Sequence, residues 1–210
     1  MRRVLVLALL ALALPIAAWA DPINFTNEFG SISISTAGIS SIGSQMETWG
    51  LNKATPGHSL GFVSFSTGAL LTGSLQYGGT FSATGSSFDV MGVGKWAAKL
   101  TGVAGCGTGC AIFTGAFVGP IDWTLTSAPG KKNLTYVLSG DIAGQLWNGR
   151  NVHGFTTQDI YTVNGQLTQG IGHISMGKST LTVPEPGTLG LLGTGLVGIA
   201  GIFRRKMMGT

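Results

Sequence analysis

The sequence predicts an all-β chain, most simply an antiparallel β-sandwich or flattened barrel, with a β-solenoid as the alternative. Three observations carry this. Short runs alternate apolar with hydroxyl residues, the period-two pattern of a half-buried strand. Gly-Pro, Pro-Gly, Asn-Gly and Gly-Gly steps punctuate these runs at intervals of about ten residues. Sustained helical periodicity is missing from the body, except over a short stretch between Ile42 and Asn52.

In chain order, Ser31 to Thr36 alternates Ile32 and Ile34 with hydroxyl residues, and Leu60 to Ser66 follows the same pattern. Leu70 to Tyr77 and Thr80 to Met91 read as a hairpin around Gly78-Gly79. Further strands are predicted over Trp96 to Val103, Ala111 to Val118, Ile121 to Thr126, Asn133 to Leu138 and Ile142 to Trp147. Gln158 to Val163 and Ile174 to Val183 complete the set. The solenoid alternative rests on Asp122, Asp141 and Asp159, which recur at a period of about 18 residues. No fixed consensus surrounds them, and a run of hairpins gives the same spacing.

Charge excludes one class of partner. The chain has 12 Lys and Arg against 8 Asp and Glu, a net charge of +4. Arg2, Arg3, Arg204, Arg205 and Lys206, set against Glu185, account for that whole excess. Residues 21–183 therefore carry seven basic and seven acidic side chains and are neutral. No basic surface is left for nucleic acid. This body is one domain's length. At 44% hydrophobic residues the chain is too apolar for a disordered stalk.

Each chemical candidate has a plainer structural reading. Cys106 and Cys110 frame "CGTGC", and in an exported chain the first expectation is a local disulfide pinning a turn. With no further cysteine, a thiolate metal site is not expected. His58, His153 and His173 share no motif spacing and read as unrelated loop or surface residues. Asp122, Asp141 and Asp159 supply carboxylates of the kind glycoside hydrolysis needs, with Trp123, Trp147 and Tyr161 as sugar platforms. Each Asp nonetheless stands beside a turn, where its side chain serves the backbone. Each aromatic fits a core or cross-strand position. "GVGKWAAK" carries Gly92, Gly94 and Lys95 without phosphate-loop spacing, and no nucleophile elbow, zinc-protease or calcium-loop motif occurs in the body. Asn24-Phe25-Thr26 and Asn133-Leu134-Thr135 fit the N-glycosylation pattern. The expectation is a protein that is not an enzyme, with no catalytic residue, metal or cofactor. A carbohydrate-binding module and a secreted hydrolase are the alternatives.

The two ends are more specific than the body. Met1 to Ala20 has a basic start at Arg2-Arg3, an apolar run from Val4 to Leu14 and a small-x-small site at Ala18-Trp19-Ala20. This is the layout of a secretory signal helix, cleaved before Asp21. At the other end stand Pro184-Glu185-Pro186, an uncharged run from Gly187 to Phe203, and Arg204-Arg205-Lys206. That run spans roughly 25 Å as a helix, close to a bilayer core, so a transmembrane segment over 187–203 is expected. The basic triplet is its cytoplasmic anchor. The domains expected are thus 1–20, 21–183 and 184–206.

The C-terminal pattern resembles the PEP-CTERM sorting signal of Gram-negative bacteria. Pro184, Glu185 and Pro186 match its motif, "GTLGLLGTGLVGIAGIF" its short span, and Arg204, Arg205 and Lys206 its basic end. Met207 to Thr210, beyond the basic cluster, depart from the pattern. The resemblance implies recognition and trimming by exosortase, transit through the inner membrane, and a final place at the cell surface or in the extracellular matrix. Association with exopolysaccharide and a biofilm matrix is implied in the same way.

Overall fold

A computed structural model describes residues 22–127, 133–163 and 170–183. The expected signal helix with Ala18, Ala20 and Asp21, and the expected transmembrane segment with its flanking motifs, lie outside these residues. Among the described residues no helix is long and apolar enough to cross a membrane. The described body, Pro22–Val183, is one compact unit.

It contains twelve strands and one helix. The strands are β1 (Ile23–Glu28), β2 (Ser31–Ser35), β3 (Gly38–Trp49), β4 (Asn52–Lys53), β5 (Gly61–Ser66) and β6 (Leu70–Ser74). They continue with β7 (Gly78–Phe81), β8 (Ser87–Gly92), β9 (Cys110–Leu125), β10 (Asn133–Leu146), β11 (Asn151–Val163) and β12 (Gly170–Thr182). The helix α1 (Gly94–Thr101) lies between β8 and β9. All pairings are antiparallel. The path β10-β11-β12-β1-β3-β5-β8-β9 returns to β10, so the sheet is a closed eight-stranded barrel.

The connectivity is a simple meander. β1 and β2 run along the same two partners, β12 and β3, and behave as one strand broken at Phe29-Gly30. β5 and β6 lie along β8 and β7, and those two lie end to end along β9. Each segment thus pairs with its sequence neighbour, and β12 closes on β1. Closure removes the edges that an open sandwich exposes. The structure is therefore a barrel, not a two-sheet sandwich or a solenoid. The regular spacing of Asp122, Asp141 and Asp159 is the spacing of long meander strands.

Several predicted boundaries differ from the structure. Trp96 to Val103 is not a strand. Trp96, Ala97, Leu100 and Thr101 share one side of α1, while Lys95 and Lys99 face solvent. The stretch from Ile42 to Asn52 belongs mainly to β3, not to a helix. Ile42 faces outward (85% exposed), and bulges at Ile42-Gly43 and Glu47 then break the alternation, the first turning Ser44 inward. Gly78-Gly79 is not the hairpin turn but the start of β7, and the turn lies at Leu75–Tyr77. The predicted strands on either side of Gly119 are one strand, β9, and those on either side of Gly140 are one strand, β10.

An eight-stranded barrel is just wide enough for side chains to fill. Here they do, in three groups. Phe88 packs against Phe25, Phe65, Phe113 and Phe117, with ring centroids 5.7–6.3 Å apart. Trp123 stacks on Tyr136 at 4.4 Å and 7°. Across the closing seam runs a buried polar ladder. Asn27 Nδ2 donates to Gln158 Oε1 at 2.9 Å and Gln158 Nε2 donates back to Asn27 Oδ1 at 3.3 Å. Asn27 Nδ2 also donates to Ser44 Oγ, and Gln158 Nε2 to Thr156 Oγ1, which bonds Ser179 Oγ at 2.8 Å. Gly177 stands between the two amides, where a Cβ would collide with Asn27 Oδ1 and Gln158 Oε1.

Gly177→Ala is expected to separate the amide pair and cost roughly 2–4 kcal/mol, the penalty of overpacking plus a broken buried hydrogen-bond pair. Thermal unfolding of the variant beside the parent protein measures it; an unchanged Tm would show that the ladder repacks at no cost.

Candidate functional site

The two ends of the barrel differ in construction. Pro22 and Val183 leave from one end, because Ile23 pairs with Leu181 at the start of β1 and the close of β12. The same end holds α1. Its Ala97 is buried against Gly92 and Ile112, and Trp96 Nε1 donates to the Leu60 carbonyl at 2.8 Å. Gly102, at φ 72°, closes the helix in the left-handed conformation by donating its N–H to the Ala98 carbonyl. A disulfide joins Cys106 to Cys110, tying the loop after α1 to the first residue of β9. Cys106 is buried, and its carbonyl accepts from the Gly94 N–H.

The opposite end is closed by the β6–β7 hairpin. Its turn lies over the stacked pair of β9 and β10, where Trp123 Nε1 donates to the Leu75 carbonyl at 2.8 Å. Tyr136 Oη donates to the Gln76 carbonyl at 2.9 Å. Burial pushes the Tyr136 phenol above its ordinary value of 10.0. The hairpin is thereby pinned as a lid on the barrel interior.

The candidate residues fall into two sets. Trp123 is an interior residue and not a sugar platform. Trp147 is half-buried, and its backbone N–H donates to the Ile112 carbonyl. Asp122, Asp141 and Asp159 stand on the outer wall, each between buried neighbours. Their partners differ: Asp122 faces Ser139 and Thr80, Asp141 faces Val118 and Phe155, and Asp159 faces Val137 and Met176. His58 lines a surface groove, His153 pairs with Thr182, and His173 packs on Tyr161. Among the described residues no three His, Cys, Asp or Glu side chains come together in a metal-binding group. Asn24 and Asn133 are exposed, and Asn24 Oδ1 accepts from Thr180 Oγ1 at 2.7 Å.

Among the described residues, two concave surfaces stand out. One, of about 490 Å³, is lined by Glu28, Phe29, Gln45, Glu47 and the loop Ala54–His58. Phe29 is held there at φ +58°, left-handed for a non-glycine residue, with 60% of its surface exposed. The other, of about 430 Å³, is a trough lined by Ser31, Ile32, Ser33, Ser40 and Ile42. Tyr161 and His173 lie beside it, since His173 pairs with Ser31 across β12 and β2. Their rings are 5.4 Å apart and tilted by 32°, with Tyr161 39% exposed. This trough with its aromatic margin is a consequence of closure: in the sequence Tyr161 reads as a sugar platform and His173 as an unrelated loop or surface residue, and the fold brings them together.

On the outer wall of β8, Asp89 lies between Ser64 and Thr114, and burial raises its carboxyl above the ordinary 3.8. A raised folded-state value means that the native state favours the protonated form. That stabilising contribution is complete below the unfolded-state value and lost as pH rises through the folded one. Asp89→Asn is therefore expected to raise Tm at pH 7 and to give no gain below pH 3.8, measured by thermal melts across that range.

No curated protein and no solved structure matches the chain. Residues 182–206 match the family described as the PEP-CTERM protein-sorting motif. The matched span holds Pro184, Glu185 and Pro186, the uncharged run, and Arg204, Arg205 and Lys206. The chain thus carries, directly after β12, a PEP-CTERM sorting motif that targets it for exosortase-dependent sorting.

Proposed function

We propose that this chain is an exported, non-catalytic protein of the cell surface or extracellular matrix, structural or adhesive in role and associated with exopolysaccharide. The observation that carries the reading is the PEP-CTERM motif immediately following a barrel whose interior is packed with its own side chains. The motif serves as an address, in the manner of other C-terminal signals that are removed once read. Pro184, Glu185 and Pro186 are the segment offered to exosortase, and Arg204 to Lys206 hold the tail on the cytoplasmic side until then. The neutral body supports a role among uncharged or mixed polymers over one at a nucleic acid.

Intact mass of the protein recovered from envelope and medium tests the address. With exosortase present, the protein is expected to lack residues 1–20 and to end near Pro184 to Pro186; without it, the tail is retained. An intact tail in both strains overturns the sorting role and leaves an anchored domain.

A carbohydrate-binding role is the second reading, and the trough beside Tyr161 and His173 favours it. A ring face with neighbouring hydroxyls suits a sugar, whose C–H faces stack and whose hydroxyls need partners. Co-sedimentation with the cells' own exopolysaccharide is expected to fall several-fold in Tyr161→Ala, with Tm unchanged. Equal retention of both proteins would remove this reading.

A further inference from the structure

The neutrality of residues 21–183 is not evenly spread. Three connections lie at the end of the barrel that carries Pro22 and Val183: 50–60 between β3 and β5, 93–109 between β8 and β9, and 147–150 between β10 and β11. They contain Lys53, Lys95, Lys99 and Arg150, four of the seven basic residues of the body, and no Asp or Glu. All four are exposed. Glu47 on β3 and Asp89 on β8 belong to the wall beside this rim, and Asp21 and Glu185 flank the described body in the sequence. The basic excess is therefore modest, and charge is only half of what the rim offers.

The same rim presents apolar side chains to solvent. Trp49 pairs with Asn52 across a tight turn, and Leu51 at its tip is 100% exposed. Val103, in the loop after α1, is 53% exposed. A leucine at a turn tip adds nothing to the fold by burial, since it buries no surface there. α1 is amphipathic: Ala97 is buried, while Lys95 and Lys99, one turn apart, face solvent. Gly102 closes the helix and the Cys106–Cys110 disulfide ties down the loop that carries Val103. Cations on one helix face and apolar side chains at loop tips, together on one rim, are the composition of an interfacial lipid contact.

We propose that this rim docks on a membrane surface: Lys53, Lys95, Lys99 and Arg150 contact anionic phospholipid headgroups, and Leu51 and Val103 enter the interface between headgroups and acyl chains. The position of the sorting motif argues for a lipid surface as the occupant. Its match begins at Thr182, the last residue of β12, and β12 closes at this same end, where Thr182 pairs with His153. A chain with this motif transits the membrane, and the inference rests on that reading. Charge complementarity points the same way, since each Lys or Arg close to an anionic surface adds an attraction that falls off within a Debye length. An acidic polymer in solution would engage the four cations but give Leu51 and Val103 no partner. Docking holds the start of the motif beside the lipid surface, within reach of a membrane-bound processing enzyme.

The test uses the full chain reconstituted with vesicles of phosphatidylcholine plus phosphatidylglycerol, and of phosphatidylcholine alone. A fluorophore is attached at Leu51→Cys or, as the reference, at Tyr77→Cys on the lid, without reductant so that the Cys106–Cys110 disulfide is kept. Quenching by a nitroxide-bearing lipid is expected to be several-fold stronger at position 51 than at position 77 in the anionic vesicles. It is expected to fall toward the reference in neutral vesicles, at high salt, and in the double variant Lys95→Glu/Lys99→Glu. Both lysines are exposed, so the double variant is expected to keep the parent Tm. Equal quenching at the two positions, or quenching at position 51 that ignores lipid charge and the double variant, overturns the proposal. A label that responds to added soluble polyuronate and not to phosphatidylglycerol also overturns it, and assigns the rim to an acidic polysaccharide. Flotation with the neutral vesicles reports separately on the tail. A chain that floats only with anionic vesicles, and loses this in the double variant, upholds docking while removing the membrane-held tail; a chain that floats with neither overturns both.

Discussion

The structure depends on how its first strand meets its last. A meander barrel of this kind has one junction that no hairpin enforces, the pairing of β1 with β12, and it joins residues 150 to 158 positions apart. Asn27 and Gln158 reach across that junction from the strands on either side of Gly177 and exchange amide hydrogen bonds. Buried amides are costly when unpaired, so a shifted register of β12 would strand both of them. The polar ladder thus favours the register observed, and every buried side-chain polar atom described has its partner.

From that junction the two ends acquire different work. One end carries Pro22 and Val183 and is plugged by α1 with the Cys106–Cys110 disulfide beside it. The other is sealed by the β6–β7 lid, pinned through Trp123 and Tyr136. The sorting motif lies on the chain at and beyond the close of β12.

Much of the all-β character was legible because it depends on local alternation. Ile32 and Ile34 in β2, and Val63 and Phe65 in β5, are buried at every second position as the pattern requires. The tail was legible for a different reason: its Pro-Glu-Pro, apolar and basic blocks act as linear signals and need no fold to be read. Local alternation misleads where the period breaks. Bulges at Ile42-Gly43 and Glu47 hide β3 from a period-two pattern, and Trp96 to Val103 reads as a strand although Lys95 and Lys99 stand one helical turn apart. The stacked interior position of Trp123 and the outward position of Tyr161 both follow from strand parity, yet nothing local said which parity faced the interior.

The sequence by itself determined strand content, neutral body charge and the C-terminal address, since each is a property of adjacent residues. Tertiary structure decided closure, and with it nearly everything about surfaces. Whether antiparallel strands form two sheets or one ring depends on whether β12 finds β1, a pairing set by residues as distant as Asn27 and Gln158. Ring closure buried Trp123, one of the three aromatics that resembled sugar platforms, left Tyr161 facing outward, and placed the three aspartates on the outer wall. Local patterns cannot encode such outcomes, because hydrogen bonding between strands is satisfied equally well by many partners until long-range side-chain contacts choose among them.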